Sequence, residues 1–272
     1  MIYESTMNNA TRNRTLITGA SEGIGKEFAF IFAKEGYDLI LVSRDEEKLV
    51  SLKRDIEKKY RVIVTIYTVD LSKADSAAEL FHKINNTGTE VNVLINNAGF
   101  GKLASFEKHE IQEFLEMIQV NVTTLTLLTR LFLPEMIKRN KGWILNVAST
   151  AAFLPGPLMP VYYATKAYVL SLSEALNREL KDTGVQVSTL CPGPTKTQFQ
   201  IRAGIINMTF LDKVNALPPS KVAEAGYKGL IKRKSLIIPG TLNKIYFQLL
   251  RLMPRKFMKD KVFSLQKKRM GG

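Results

Sequence analysis

The chain has one cysteine, Cys191, among its 272 residues, so an intramolecular disulfide is excluded and a reducing compartment is favoured. A lone cysteine of this kind reads as a small buried hydrophobe. Histidine is nearly as scarce, with only His82 and His109, which excludes a histidine-rich metal site; no metal is expected. His109-Glu110 opens a false HExxH, because position 113 is glutamate, and His109 reads as a helix-surface residue. Long apolar runs are missing as well. No stretch reaches about 18 uninterrupted apolar residues, and the opening MIYESTMNNATRNR lacks an apolar core of signal-peptide type. Neither a membrane span nor export is predicted, and the expected location is cytoplasmic. Acidic residues are depleted in one region only. Residues 228–272 hold 13 Lys or Arg against a single acid, Asp260, whereas residues 1–227 hold 26 basic and 24 acidic residues. The net charge of +14 is therefore concentrated in the tail.

What is present is ordinary for one folded domain: 45% apolar and 24% charged residues in 30.6 kDa. Thr15–Thr18 is a short strand-like run that leads at once into Gly19-Ala20-Ser21-Glu22-Gly23-Ile24-Gly25. A glycine turn between a strand and a helix lets the backbone approach a pyrophosphate, and the helix start offers it unpaired N–H donors. The second strand, 38–42, ends at Ser43-Arg44. An acid there would bind a ribose 2′-hydroxyl, whereas an arginine suits a 2′-phosphate, so Arg44 favours NADP over NAD. Strand 62–69 ends at Asp70-Leu71-Ser72, where Asp70 either meets an adenine amino group or caps the helix from about Ala74. Strand 91–95 ends at Asn96-Asn97-Ala98-Gly99. Residues 15–99 thus read strand–helix three times and then strand, a βαβ series with a parallel sheet.

Residues 110–139 predict a long helical stretch, broken or restarted at Pro134, with the amide of Asn121 among apolar neighbours. Strand 142–147 precedes Ala148-Ser149, and a proline-rich loop over 151–161 leads to the helix 161–182. Strand 185–190 ends at Cys191-Pro192-Gly193-Pro194-Thr195. The oily segment 196–217 reads either as a mobile lid over a ligand or as two helices completing the core. Helix 219–232 and strand 235–238 close the domain. On the helix after the proline loop, Tyr162 and Lys166 stand four residues apart and share a face, so the ammonium can lower the tyrosine pKa towards neutral proton transfer.

The ordered set Thr18-Gly19-x-x-x-Gly23-x-Gly25, Asp70, Asn96-Asn97-Ala98-Gly99, Asn121, Ser149, Tyr162-x-x-x-Lys166 and Pro192-Gly193 resembles the short-chain dehydrogenase/reductase family over residues 14 to about 240. The resemblance implies a three-layer αβα Rossmann fold, a doubly wound parallel sheet of about seven strands, assembled as a homodimer or homotetramer. Residues 1–240 are read as one NAD(P)-binding domain holding the catalytic site, and 241–272 as a basic amphipathic extension. The spacing of thirteen from Ser149 selects Tyr162 over its neighbour Tyr163. By the same resemblance Tyr162 is the acid/base, Lys166 lowers its pKa and holds the nicotinamide ribose, Ser149 polarises the carbonyl, and Asn121 holds a water for proton resupply. Gly19, Ser21, Gly23, Ile24 and Gly25 would line the pyrophosphate and ribose. Arg44, Asp70, Leu71, Asn97, Ala98 and Gly99 would line the adenosine side, and Pro192, Gly193, Thr195 and Thr197 the nicotinamide end. Glu22 departs from some NADP-selective relatives and is expected to repel a 2′-phosphate.

A pocket near Phe153, Leu154, Pro157, Met159 and Phe199 predicts a hydrophobic, lipid-like ketone, aldehyde or alcohol. Arg202 and Lys196 leave room for an acidic head group. In the tail, the apolar spacing over 242–253 followed by lysines and arginines suits either packing on the domain or on a partner subunit, or peripheral contact with an anionic membrane. Nucleic acid is the least favoured partner, because no aromatic-lined groove accompanies the charge. The alternative to an enzyme is a nucleotide-binding scaffold or sensor that uses this tail.

Overall fold

A strand buried on both faces reads as a continuous apolar run, and Leu39-Ile40-Leu41-Val42 is the clearest case in this chain. In the computed structural model, which describes residues 12–207, 216–241, 243–244 and 255–271, that run forms an interior strand of a parallel sheet. The strands are β1 (Arg14–Thr18), β2 (Asp38–Ser43), β3 (Val64–Thr68), β4 (Val93–Asn96), β5 (Gly142–Val147), β6 (Val185–Leu190) and β7 (Leu236–Ile237). Their order is β3-β2-β1-β4-β5-β6-β7, seven parallel strands doubly wound, as the family resemblance implied.

Alternation along the strands divides the core in two. Ile17, Leu39, Leu41 and Ile95 face α1 (Gly23–Lys34), α2 (Glu46–Lys59) and α8 (Pro219–Ile231), where Phe28, Phe32, Leu49 and Leu230 are buried. Leu16, Ile40, Val42 and Leu94 face α3 (Ser76–Asn85), α5 (Leu125–Lys138) and α6 (Pro160–Glu179) through Leu80, Phe132 and the partly buried Leu176. Each such side chain contributes about 1.5–3 kcal/mol by leaving water. Helix starts follow local chemistry: the Asp45 carboxylate accepts from the Lys48 N–H at 3.0 Å, and Pro160 opens α6 where a missing N–H costs nothing.

Two expectations are corrected. The helix expected to break at Pro134 runs through it, and both Pro134 and Arg130, the residue one turn earlier, are exposed, so a lost backbone bond there costs less than in a buried helix. The irregularity lies earlier, where α4 (Ile111–Ile118) passes into α5 through a π-helical turn, Gln119–Thr124, that contains Asn121. His109 is no surface residue either: its side chain is buried, its ring lies 4.8 Å from that of Phe114, and Nδ1 is 3.2 Å from Glu113. The segment after β6 includes α7 (Phe199–Arg202), and α9 (Arg255–Arg269) forms the C-terminal helix. The apolar spacing over 242–253, and Met208, Phe210 and Leu211 of the oily segment, lie outside the described residues.

Candidate active site

The strand order reverses between β1 and β4, and the crevice outside their carboxyl ends is where an α/β sheet receives a ligand. A cavity of about 370 Å³ opens there. Its near wall is the glycine turn. Gly19 and Gly23 take positive φ (63° and 57°), and a Cβ on Gly25 would lie 2.6 Å from Asn97 Nδ2 and closer still to the Gly19 carbonyl oxygen. No side chain fits inside this turn, which leaves its backbone open for close approach by a phosphate. Asn97 ties the turn to β4: its Nδ2 donates to the Thr18 and Gly19 carbonyls, both at 3.0 Å, and Thr18 Oγ1 accepts from the Asn97 and Ala98 N–H groups at 3.0 Å. The turn is thus a cradle of a shape suited to a dinucleotide.

Ser21, Ile24, Arg44, Asp70, Leu71, Ala98 and Gly99 border the same cavity, as do Pro192, Gly193, Thr195 and Thr197 across from them. Arg44, largely exposed, reaches Asp70 at 4.0 Å, while Asp70 Oδ1 accepts from the Ser72 N–H and hydroxyl. Glu22 differs from its expected role. Its carboxylate lies 2.7 Å from Arg202 and 3.5 Å from Lys48, so two cations offset the charge that would repel a phosphate.

On the far side, four side chains converge. Tyr162 and Lys166 on α6 are 9% and 4% exposed, Asn121 is wholly buried, and Ser149 caps the short 3-10 turn Thr150–Phe153 by accepting from the Ala151 N–H at 3.1 Å. Burial pushes the Tyr162 hydroxyl well above its ordinary value, against the downward pull of its hydrogen bond to Ser149. Burial also lowers Lys166 to about 8. Its Nζ lies 5.8 Å from the Tyr162 ring centroid and donates to the Val147 carbonyl at 2.9 Å. The expected depression of the Tyr162 pKa by Lys166 is not found: burial raises it, and the downward pull comes from the Ser149 hydrogen bond. Asn121 uses its amide in full: Nδ2 donates to the Phe100 carbonyl (2.9 Å) and Thr165 Oγ1 (3.1 Å), and Oδ1 accepts from the Phe100 N–H (3.1 Å). The side chain clamps the loop after β4 to α6.

Both adjacent tyrosines border the cavity, but their hydroxyls take different partners. Tyr162 meets Ser149, whereas Tyr163 accepts from Gln266 Nε2 at 3.0 Å. Phe199 and Ile205 from the oily segment pack with Tyr162, so its described part covers the pocket, leaving Ile201 and Ile206 exposed. Sequence reasoning missed Gln266 and Arg269, which come from the C-terminal helix. The recurrence Met258, Val262, Gln266 at steps of four was their only signature, and lysines on either side obscure it. Cys191 is buried, and burial raises its thiol to about 12, as suits an inert core residue. Among the described residues no cluster of three or more metal-ligating side chains occurs, and no helix is long and apolar enough to cross a membrane.

Comparison with known proteins agrees with this geometry. The very-long-chain 3-oxoacyl-CoA reductase of Rattus norvegicus is 38% identical over 189 residues, 65% of this chain and 57% of the relative. The chain thus spans little more than half the length of the curated relatives it matches. A short-chain dehydrogenase from Sphingobium yanoikuyae, solved in complex with NADPH, is 30% identical with a TM-score of 0.79 and covers 89% of this chain and 97% of its own. A short-chain dehydrogenase/reductase from Burkholderia phymatum in complex with NAD is 26% identical, with a TM-score of 0.75 over 88% of this chain and 92% of its own. The profile of the short chain dehydrogenases matches residues 13–204, and the chain, with its seven-stranded Rossmann sheet, belongs to that family.

Proposed function

We propose that this chain reduces the carbonyl of a hydrophobic acyl-thioester substrate, or oxidises the matching alcohol, with NADP(H) as cofactor and Tyr162 as the proton-transferring group. The observation that carries the reading is the buried Tyr162 hydroxyl, hydrogen-bonded to Ser149, at the wall of a cavity whose other wall is the glycine cradle. Gly19, Ser21, Gly23, Ile24 and Gly25 would hold the pyrophosphate, with Asp70, Leu71, Asn97 and Ala98 on the adenosine side. Pro192, Gly193, Thr195 and Thr197 would hold the nicotinamide end. A bound nicotinamide supplies or accepts the hydride. Because burial keeps Tyr162 protonated, it donates to the carbonyl oxygen as charge develops there. Ser149 orients that oxygen. Lys166, lowered to about 8, is poised to exchange a proton near neutral pH, and Asn121 fixes the Phe100 backbone beside it.

The NADP preference rests on Arg44, on the offset of Glu22 by Arg202 and Lys48, and on the NADPH held by the Sphingobium relative. The NAD bound by the Burkholderia relative makes NAD the alternative. The substrate class rests on the apolar lining by Phe100, Met159, Phe199 and Ile205, and on the rat relative's activity as a 3-oxoacyl-CoA reductase. The test is a panel of 3-oxoacyl thioesters of increasing chain length against polar sugars, followed by NADPH absorbance. Rates that rise with chain length are expected; fastest turnover of sugars would refute the reading.

A second reading, peripheral contact with an anionic membrane, is favoured by the outer face of the C-terminal helix, where Phe257 and Phe263 are 48% and 43% exposed among lysines. Co-sedimentation with phosphatidylserine vesicles is expected on this reading, and no binding would remove it.

A further inference from the structure

Residues 196–207 follow β6 and lie over the cavity, and several contacts fix their placement. Thr197 packs on the glycine turn so closely that a Cβ on Gly23 would lie 3.2 Å from its Cγ2. In α7 (Phe199–Arg202), the Phe199 ring lies 5.4 Å from that of Tyr162. Ala203, the next residue, is wholly buried, and its carbonyl accepts from the Leu103 N–H at 2.8 Å. This short helix is thus seated on the substrate side of the pocket. Arg202 leaves it toward the cofactor side, where its Nη2 lies 2.7 Å from the Glu22 carboxylate in the glycine turn. A segment that packs on Tyr162 therefore also reaches the dinucleotide cradle, through an ion pair.

Glu22 stands at the corner where a 2′-phosphate would sit. Ser21, just before it, accepts from Ser43 Oγ at 2.8 Å, which holds the turn to the end of β2, and Arg44 follows Ser43. Lys48, in the first turn of α2, lies 3.5 Å from Glu22 and 2.8 Å from Asp45, and Arg44 lies 4.0 Å from Asp70. The acids paired at this corner are Glu22, Asp45 and Asp70, and their partners are Arg44, Lys48 and Arg202, so the two signs balance. The field of Arg202 extends to Asp45 as well: after the hydrogen bonds from Lys48, it helps to lower that carboxyl's pKa. A phosphate monoester brings about −1.5 to −2 charges at pH 7. With Arg202 in place no net charge opposes it, whereas without Arg202 an acid is left in excess. A 2′-hydroxyl is uncharged and does not respond to this balance.

We propose that Arg202 is a cofactor-specificity residue that acts through Glu22: by neutralising that acid from the substrate side of the pocket, it favours the 2′-phosphate of NADP(H) over the 2′-hydroxyl of NAD(H). The inference rests on the NADP(H) reading above and deepens it, because part of the cofactor choice then belongs to the segment that covers the substrate pocket.

The experiment measures NADPH and NADH dissociation constants by fluorescence titration for wild type, Arg202→Gln, Arg202→Lys, Glu22→Gln and the double variant Glu22→Gln/Arg202→Gln. The ratio of the two constants cancels any general loss of fold or of dinucleotide affinity. Arg202→Gln is expected to shift the ratio toward NADH by about 3- to 10-fold at low salt, the size for an exposed charge acting on a group of nearly two charges. Arg202→Lys keeps the charge and should hold the ratio within about twofold of wild type. In the Glu22→Gln background, Arg202→Gln should leave the ratio unchanged. In about 1 M salt, where the Debye length is about 3 Å, the shift should shrink. A ratio within about twofold of wild type in Arg202→Gln would overturn the proposal. So would an equal shift in the Glu22→Gln background, since Arg202 would then act on the phosphate directly, or a shift undiminished by salt. If wild type binds NADH at least as tightly as NADPH, the NADP reading fails, and Arg202 is still judged by the shift in ratio between wild type and Arg202→Gln.

Discussion

Replacing Gly25 by alanine sets two effects of opposite sign against each other. Gly25 lies in the first turn of α1, where helix propensity alone would make alanine more stable by about 0.5–1 kcal/mol. The added Cβ would sit 2.6 Å from Asn97 Nδ2 and 2.9 Å from the Gly19 carbonyl carbon, well inside van der Waals contact. Neither neighbour can yield freely. Gly19 has φ 63°, and Asn97 Nδ2 is committed to the Thr18 and Gly19 carbonyls. Overpacking costs about 1–3 kcal/mol, and losing the two amide bonds costs about 1 kcal/mol each. The net is a destabilisation of about 2–4 kcal/mol, or about 4–7 °C in Tm for a chain of this size. Thermal melts and urea unfolding check this, with fluorescence titration of NADPH, whose affinity is expected to fall at the same time. Gly36→Ala is the control, because its added Cβ meets nothing within 4 Å and only its φ of 80° is strained. A Gly25→Ala protein as stable as wild type, with unchanged NADPH binding, would refute the claim that this turn is a filled, rigid cradle.

Three further outcomes are expected. Arg44→Ala should raise KM for NADPH by about tenfold while KM for NADH changes less than twofold, since only the former carries a 2′-phosphate; equal changes would remove Arg44 as the selector. Asn121→Ala leaves the half-buried Phe100 N–H and carbonyl without their side-chain partner, so urea unfolding should show a loss of about 1–3 kcal/mol. Lys166, lowered to about 8 in the fold, binds fewer protons there than in the unfolded chain, where its value is the ordinary 10.5. Its contribution therefore makes stability rise with pH from about 8 to about 10, and Lys166→Met should flatten that rise when urea unfolding of both proteins is compared at each pH. An identical slope in both proteins would mean that Lys166 is not the group responsible.

The parts of this account that were legible in the sequence are those governed by local pattern. Leu39–Val42 had to be an interior strand, and glycines or small polar residues at successive strand ends had to line one edge of a parallel sheet. The facing of Tyr162 and Lys166 followed from helix spacing, whereas the link of Tyr162 to Ser149 came from the family resemblance and its thirteen-residue gap. What was not legible depends on contacts between distant residues. Glu22 looked like an isolated acid in a phosphate site, and only the fold brings Arg202 to it. Pro134 looked like the helix breaker because its exposure was unknown, whereas the π-helical turn at Asn121 leaves no compositional trace. Gln266 reads as a polar residue in a lysine-rich tail, and its burial against Tyr163 is a tertiary fact.

The central claim is that the Tyr162 hydroxyl transfers the proton. Tyr162→Phe removes that hydroxyl and keeps the ring that packs with Phe199. Single-turnover reduction of a 3-oxoacyl thioester by NADPH should slow by about 100- to 10,000-fold in the variant, with the NADPH dissociation constant within about twofold of wild type. Turnover within tenfold of wild type would contradict the account.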